Sequence, residues 1–287
     1  MKNDDTQNGI KILTLNDGNT IPMLGYGVFQ IPDSECAKLV LSALDCGYRH
    51  IDTAQIYGNE SGVGSAVAEC GIARDELFIT SKIWVKHYGY EKALKSIDDS
   101  LERLQTDYID LMLLHRPYFD YTGAWKALEK AQADGKVRSI GLSNFSIAQT
   151  EEILRSASVM PAVNQIELHP YFAQNKLREY LAGKGIAVEA WYPLGHGNKK
   201  LLKDKTISAL AGKYGKTPSQ IILRWHVQSA NIVFPKTRSV SHMRENAEIF
   251  EFELESEDMA AISALDKGKP MFNVPDWWQK FIIKLCK

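Results

Sequence analysis

The hydrophobic and polar positions of the chain follow two patterns that alternate along its length. Short apolar runs that end in a polar residue or a glycine predict buried strands. Longer segments with apolar residues three and four positions apart predict amphipathic helices. The predicted strands cover residues 23–28, 49–52, 77–82, 109–115, 137–142, 161–167, 186–191 and 232–235. The predicted helices cover residues 33–47, 59–70, 89–104, 121–133, 146–157, 175–184, 205–229 and 241–250.

Eight strand–helix units in a chain of 287 residues predict an α/β fold. The regular repeat favours a closed parallel (β/α)8 barrel, the TIM barrel, over an open doubly wound sheet. We expect residues 1–287 to form this one domain.

Two segments fall outside the repeat. Residues 10–21 alternate apolar and polar positions around the turn Asn16-Asp17-Gly18-Asn19, which predicts a β-hairpin that caps the barrel. Residues 269–287 contain Trp277 and Trp278 in an amphipathic pattern. This C-terminal tail is expected to dock as a helix on the barrel, near its mouth. A helix that binds a membrane surface or a partner protein has the same pattern and stays an alternative.

Composition and charge exclude several classes of protein. The net charge of −1 gives no reason to expect nucleic acid or an anionic membrane as a partner. The polar, acidic N-terminus does not resemble a signal or transit peptide, and no apolar run reaches the ~18 residues of a membrane span. Cysteines 36, 46, 70 and 286 lack the spacing of a zinc site or a disulfide framework, so we expect free thiols and no metal. The sequence thus predicts a cytoplasmic protein, a monomer or weak dimer, that acts on a small molecule.

Polar residues stand where several predicted strands end. In a (β/α)8 barrel the functional site is built from the carboxyl ends of the strands and the loops that follow them. We therefore expect a site that includes Asp52, Lys82, His115, Asn144, Gln165 and Trp191.

Tyr57 follows the strand end at Asp52 by five residues, so its phenol can face the same cavity. A phenol is a weak acid, with an ordinary pKa of ~10, and donates a proton readily only when a nearby cation stabilises the phenolate. Lys82, at the end of the next predicted strand, can supply that charge.

Three segments carry a resemblance to a known family. Residues 47–60, Gly-Tyr-Arg-His-Ile-Asp-Thr-Ala-Gln-Ile-Tyr-Gly-Asn-Glu, resemble the first signature of the aldo-keto reductases. Residues 161–170, and residues 234–237 together with 244–246, resemble two further signatures. The resemblance covers nearly the whole chain. It implies an oxidoreductase that reduces aldehydes and ketones with NAD(P)H bound at the mouth of a (β/α)8 barrel.

The resemblance also implies roles for four residues. Tyr57 would be the general acid that protonates the carbonyl oxygen, and Lys82 would lower the pKa of Tyr57. Asp52 would hold Lys82 in place, and His115 would orient the substrate oxygen. Two other functions stay open: a barrel that binds the cofactor without catalysis and supports a partner, and an aldolase that forms a Schiff base at Lys82.

The chain has no Gly-x-Gly-x-x-Gly fingerprint, so the cofactor must lie across the barrel mouth. By resemblance, Ser143, Asn144 and Gln165 would bind the nicotinamide carboxamide, and Trp191 would stack on the ring. Further predicted cofactor contacts are Val28, Leu194, Gly195, Lys236, Thr237, Arg238, His242, Glu245 and Asn246.

Lys236, Thr237 and Arg238 are suited to the 2′-phosphate that distinguishes NADPH from NADH. His242 stands where many relatives that prefer NADPH have an arginine, and an imidazole cannot bind a phosphate with two parallel hydrogen bonds. NADPH is therefore the favoured cofactor, with NADH possible.

The predicted substrate-binding residues are Phe29, Trp84, His115 and Arg116. Arg116 replaces the tryptophan that commonly follows the catalytic histidine in this family. A cation there would favour carbonyl substrates that carry a carboxylate or a phosphate. The alternative is that Arg116 turns outward and pairs with an acidic residue.

Overall fold

The computed structural model describes residues 6–272 of the chain. The predicted element around Trp277 and Trp278 lies outside the described residues, and so does Cys286. Three short antiparallel strands come first: β1 (Thr6–Gln7), β2 (Ile10–Thr14) and β3 (Thr20–Pro22). Strands β2 and β3 form the predicted hairpin.

Eight parallel strands follow and make one sheet in which every neighbour is consecutive in the chain. They are β4 (Tyr26–Gly27), β5 (His50–Asp52), β6 (Phe78–Ile83), β7 (Ile109–Leu114), β8 (Val137–Ser143), β9 (Val163–Glu167), β10 (Ala187–Trp191) and β11 (Asn231–Val233).

The sheet closes on itself between its first and last strands. Leu24, just before β4, forms a parallel bridge with Val233 of β11. The Gly25 amide donates to the Val233 carbonyl (2.7 Å), and the Val233 amide donates to the Met23 carbonyl (2.9 Å). The predicted (β/α)8 barrel is therefore confirmed. The observed strand β4 is shorter than the predicted strand 23–28, because Leu24 joins the sheet only through the single bridge that closes it.

Helices connect the strands along the outside of the barrel. They are α1 (Asp33–Asp45), α2 (Glu60–Glu69), α3 (Tyr90–Leu104), α4 (Tyr121–Ala133), α5 (Ile147–Leu154), α6 (Asn175–Gly183), α7 (Lys199–Leu202), α8 (Lys205–Tyr214), α9 (Pro218–Gln228), α10 (Val240–Ala247) and α11 (Ser256–Ser263).

Most helix boundaries follow local sequence signals. Ser146 caps α5 with a reciprocal capping box that includes Gln149. The helices predicted over residues 205–229 are α8 and α9, which are separate because Gly215 takes a left-handed conformation (φ 61°) and Pro218 begins a new helix. Helices α7 and α11 were not predicted.

The hairpin covers the end of the barrel where the strands begin. The side-chain amide of Asn16 donates to the Pro161 carbonyl (2.9 Å), and that of Asn19 donates to the Ser139 hydroxyl (3.1 Å). Leu15 and Ile21 are buried against the inward-facing side chains of the lower barrel: Phe78, Leu111, Leu113, Ala162, Val163 and Ile232. The hairpin therefore closes the end of the barrel where the strands begin and leaves the opposite end open for a functional site.

Within residues 6–272, no helix combines the length and the apolar character that crossing a membrane requires. Cys36, Cys46 and Cys70 carry free thiols. The same part of the chain contains no group of three or more His, Cys, Asp or Glu side chains that could hold a metal ion.

Candidate active site

A cavity of about 470 Å³ opens at the carboxyl ends of the strands. Many of the residues predicted to form the site line it together: Phe29, Asp52, Tyr57, Trp84, His115, Arg116, Ser143, Asn144, Gln165, Trp191, Leu194 and Lys236. They come from all eight barrel strands or the loops that follow them, and closure of the barrel brings them to one place.

Lys82 lies beneath the cavity, fully buried in β6. Its ammonium nitrogen is 2.8 Å from each carboxylate oxygen of Asp52 and 2.8 Å from the Thr53 carbonyl, to all of which it donates. Burial acts to lower the pKa of Lys82, but the Asp52 carboxylate, together with Tyr57 and Glu189, raises it above its ordinary value. Lys82 is therefore a fixed cation.

The Tyr57 hydroxyl lies 3.4 Å from the Lys82 ammonium nitrogen. The phenol ring is half-buried and packs against Phe29, with the two ring centroids 4.9 Å apart. Burial raises the pKa of Tyr57, while the Lys82 charge opposes the shift. The predicted effect of Lys82 thus has the expected direction, but it does not lower the Tyr57 pKa below its ordinary value, because the loss of hydration on burial is larger.

His115, at the end of β7, stands edge-on to the Tyr57 ring (centroids 5.9 Å apart) and to the Trp84 ring (5.2 Å). Burial lowers the pKa of His115 well below its ordinary value, and the nearby Lys82 and Arg116 charges lower it further. The imidazole is therefore neutral and carries one N–H donor. Its Nδ1 has no hydrogen-bond partner among the described residues.

Asn144 and Trp191 hold each other in place on one wall of the cavity. The Trp191 indole N–H donates to the Asn144 side-chain oxygen (2.9 Å). The Asn144 amide nitrogen donates to the His115 carbonyl (3.1 Å) and to the Ser143 hydroxyl oxygen (2.9 Å). Asn144 takes a left-handed backbone conformation (φ 65°), which asparagine tolerates better than most residues.

Gln165 has a fixed amide orientation. Its Nε2 donates to Asp52 Oδ2 (2.8 Å) and to Glu189 Oε2 (2.9 Å). Glu189 is a buried residue of β10 that was not predicted to belong to the site. The only sequence signal is an acidic residue within an otherwise apolar predicted strand.

A basic segment follows β11, beside the cavity. The Lys236 ammonium donates to the Gln30 side-chain oxygen (3.4 Å), and Arg238 forms an ion pair with Glu35 (3.1 Å). His242 is exposed in the first turn of α10, whose N-cap is Ser239.

Other predicted cofactor contacts lie away from the main cavity. Thr237 accepts a hydrogen bond from the Tyr26 hydroxyl through its carbonyl (2.7 Å), and Glu245 accepts one from the Thr217 hydroxyl (2.6 Å). Asn246 is buried in α10. Gly195 is packed under Met271, since a Cβ there would lie 2.7 Å from the Met271 methyl carbon.

Val28, also predicted to contact the cofactor, does not line the cavity. Its side chain is fully buried in the hydrophobic core. Its neighbours Gly27 and Phe29 line the cavity instead. Side chains alternate between the two faces of an extended segment, so Val28 faces the opposite way.

Arg116 faces the cavity, which agrees with the first of its two predicted orientations. Its guanidinium carbon lies 5.2 Å from the centroid of the Phe272 ring. Phe272 also contacts the Trp191 ring edge-on (6.0 Å). Glu167, at the end of β9, accepts hydrogen bonds from the backbone amides of Met271 (2.6 Å) and Phe272 (3.2 Å). The beginning of the C-terminal tail thus forms part of the barrel mouth, as predicted.

Comparison with known proteins agrees with the fold. Residues 23–267 match the profile of the aldo/keto reductase family. The chain is 47% identical to the glyoxal reductase of Bacillus subtilis (strain 168) over 264 residues, which cover 91% of this chain and 95% of that protein. It is 41% identical to the methylglyoxal reductase DkgA of Escherichia coli (strain K12) over 268 residues, which cover 92% and 97% of the two chains.

A solved structure with the same fold is that of the Bombyx mori aldo-keto reductase in complex with NADP. It superposes with a TM-score of 0.89 at 33% sequence identity and covers 96% of this chain and 98% of its own.

The chain belongs to the aldo/keto reductase family. It is an NAD(P)H-dependent oxidoreductase of the kind that reduces carbonyl compounds. The predictions of the family, the barrel fold, the reaction class and a nicotinamide cofactor are therefore confirmed.

Proposed function

We propose that this enzyme reduces small aldehydes, including α-dicarbonyl compounds, with NADPH, and that Tyr57 is its general acid. The observation that carries this proposal is the 3.4 Å distance between the Tyr57 hydroxyl and the buried Lys82 ammonium, at the bottom of a cavity that His115 also lines. Two named relatives, a glyoxal reductase and a methylglyoxal reductase, support the substrate class.

In this proposal the Tyr57 hydroxyl donates its proton to the carbonyl oxygen of the substrate. The Lys82 ammonium stabilises the phenolate that forms, because it already lies at hydrogen-bond distance from that oxygen. Asp52 keeps Lys82 in position through two contacts of 2.8 Å. The neutral His115 donates a hydrogen bond to the same substrate oxygen and selects the orientation that exposes the carbonyl carbon.

The residues of the cavity fit a nicotinamide cofactor. Two hydrogen bonds fix the Gln165 amide nitrogen, so its Oε1 is available to accept from a carboxamide NH₂. The Ser143 hydroxyl accepts from Asn144 and can still donate its own proton to a carboxamide oxygen. The Trp191 indole offers a flat face whose orientation is set by its bond to Asn144. The bound cofactor supplies the hydride.

The segment after β11 supports a preference for NADPH. Lys236 lines the cavity, and Thr237 and Arg238 follow it immediately, close to the N-terminus of α10. Positive side chains and a helix N-terminus favour the extra phosphate of NADPH. His242 occupies the first turn of that helix and makes the preference weaker than an arginine would.

Arg116 extends the substrate range to carbonyl compounds that carry a carboxylate. Its guanidinium lines the same cavity as Tyr57, Trp84 and His115. An anionic group on the substrate would form a charge-assisted hydrogen bond there, which is stronger than a neutral one.

The two alternative functions have less support. A Schiff-base lysine needs a neutral amine, but the Asp52 carboxylate raises the pKa of Lys82. A barrel without catalysis would not need Asp52, Tyr57 and His115 to line one cavity with Lys82 directly beneath it.

The test is NADPH oxidation in the presence of methylglyoxal, glyoxal, butanal and succinic semialdehyde. We expect NADPH oxidation at a rate that increases with the concentration of the enzyme and with that of the aldehyde. Borohydride treatment with each aldehyde should give no covalent adduct at Lys82, whereas the aldolase alternative requires one. The cytoplasmic location and the monomeric or weakly dimeric state stay predictions.

A further inference from the structure

Glu189 is a buried carboxyl group at the centre of the barrel to which the proposed function gives no role. Its side chain is fully buried in β10. Its Oε2 accepts a hydrogen bond from Gln165 (2.9 Å), while its Oε1 has no hydrogen-bond partner among the described residues. Burial of a carboxyl group without a cation is costly when the group is ionised.

The titratable groups that face Glu189 come from β5 and β6. His50 Nε2 lies 3.9 Å from Glu189 Oε1, beyond hydrogen-bond distance. His50 is neutral, because burial lowers its pKa to about 3, and its Nδ1 must donate to the Pro22 carbonyl (3.2 Å). The Lys82 ammonium is already held by Asp52. Among residues 6–272, Glu189 therefore has no cation of its own.

The same environment decides its ionisation. Burial, reinforced by the negative charge of Asp52, raises the pKa of Glu189 to about 8. At neutral pH the barrel interior thus holds one ion pair, Asp52 with Lys82, and an uncharged Glu189. A second negative charge there would stabilise the neutral form of Tyr57 and weaken it as an acid.

Glu189 also determines which way the Gln165 amide points. Gln165 Nε2 bridges Asp52 and Glu189, which lie on β5 and β10, on different sides of the barrel. An amide with both donors engaged cannot rotate by half a turn without losing both bonds. Its oxygen is therefore held toward the cavity.

We propose that Glu189 is a positioning residue of the site that, together with Asp52, fixes the Gln165 amide with its oxygen toward the cofactor. This inference rests on the proposed role of Gln165 in binding the nicotinamide carboxamide. It assigns a function to a residue that does not line the cavity.

The test compares two variants that differ only in the acceptor they keep. Glu189→Gln retains a side-chain oxygen that can accept from Gln165, and Glu189→Met retains the volume without a strong acceptor. One lost hydrogen bond changes an equilibrium by about tenfold, so Glu189→Met should raise the NADPH dissociation constant by that order. Glu189→Gln should stay within about threefold of wild type, because its acceptor is preserved.

The same substitution made in a Gln165→Met protein separates a positioning role of Glu189 from a general loss of structure. In Gln165→Met protein, the Glu189→Met substitution should raise the NADPH dissociation constant no further. An unchanged dissociation constant in Glu189→Met, or the same increase with and without Gln165, would overturn the proposal.

Stability of the protein without cofactor provides an independent readout. The pKa of Glu189 is raised in the folded state to about 8, compared with ~4.3 in the unfolded chain. The stabilisation of the fold by protonated Glu189 is therefore fully present below pH ~4.3 and is lost as the pH rises through about 8. Relative to wild type, the folding constant of Glu189→Gln should therefore increase by up to about tenfold per pH unit between pH 5 and 8. A ratio that does not change with pH would overturn the protonated state. If wild type fails to bind NADPH, the proposed function fails, while this measurement still tests Glu189.

Discussion

The ammonium nitrogen of Lys82 lies 3.4 Å from the phenolic oxygen of Tyr57, although the two residues are 25 positions apart in the chain. The strand that contains Lys82 and the loop that contains Tyr57 meet because β5 and β6 pair in parallel, with Asp52 opposite Thr80. The contact couples an acid to a fixed positive charge in a place largely shielded from water. Such a charge stabilises a phenolate more strongly than an exposed one would.

Lys82→Met should remove most carbonyl reduction and also destabilise the fold. The substitution leaves the Asp52 carboxylate buried without its cation, and breaking a buried pair in this way costs about 3–5 kcal/mol. The free energy of unfolding, from denaturant titration, measures the second effect.

The double variant Asp52→Asn/Lys82→Met separates the two effects. Removal of both charges should restore much of the stability, because no unpaired charge remains buried. Carbonyl reduction should stay low, since the cation beside Tyr57 is still missing. Recovery of activity together with stability would show that Lys82 matters only for folding.

Arg116→Gln should reduce kcat/KM for succinic semialdehyde and leave that for butanal nearly unchanged. The two aldehydes have the same chain length and differ in the carboxylate. A hydrogen bond to a charged group contributes about 1.5–3 kcal/mol, so the expected loss is about ten- to a hundredfold. Arg155→Gln, an exposed arginine after α5, is the matched control and should change neither value. Equal losses for both aldehydes in Arg116→Gln would contradict the proposed anion contact.

His242→Arg should tighten NADPH binding and hardly affect NADH, because only NADPH carries the 2′-phosphate. An added charge-assisted contact of about 1.5–3 kcal/mol corresponds to a tenfold or larger change in the dissociation constant. The gain should shrink with added salt, as expected at an exposed position.

Lys236→Ala should weaken NADPH binding more than NADH binding and so reduce the preference for NADPH. Dissociation constants of NADPH and NADH, measured at two salt concentrations, show whether His242 and Lys236 face the 2′-phosphate. Equal changes for NADPH and NADH in His242→Arg would show that this residue does not face the phosphate.

The barrel and much of the cavity were predictable from the sequence because they depend on local pattern. Asp52 and Lys82 each come at or near the end of a short buried strand, and parallel strands in a barrel end at the same side. The contact between them then follows from strand pairing alone. The family signatures add the expected roles.

Other features depend on how distant segments meet. Glu189 is joined to the site by Gln165, which bridges it to Asp52 from another strand. The Met271 amide bonds to Glu167 across 104 positions of the chain. No local pattern indicates either contact. The cofactor contact predicted for Val28 stays a prediction, and the alternation of an extended segment places the side chains of its neighbours, not that of Val28, in the cavity.

The net pKa shift of Tyr57 was also not predictable from residue types. A neighbouring lysine lowers the pKa of a phenol, but burial raises it, and only the structure shows that the second effect is larger here. In this account the role of Lys82 is to stabilise the phenolate as the proton leaves, rather than to keep Tyr57 ionised beforehand.

The most direct test of the central claim is NADPH oxidation with methylglyoxal by wild type and Tyr57→Phe, together with the NADPH dissociation constant of each. Phenylalanine keeps the ring that packs against Phe29 and removes only the hydroxyl. General acid catalysis contributes about 10²–10⁴-fold, so the account predicts a loss of kcat in that range with a dissociation constant close to that of wild type. A loss below tenfold would contradict the assignment of Tyr57 as the proton donor.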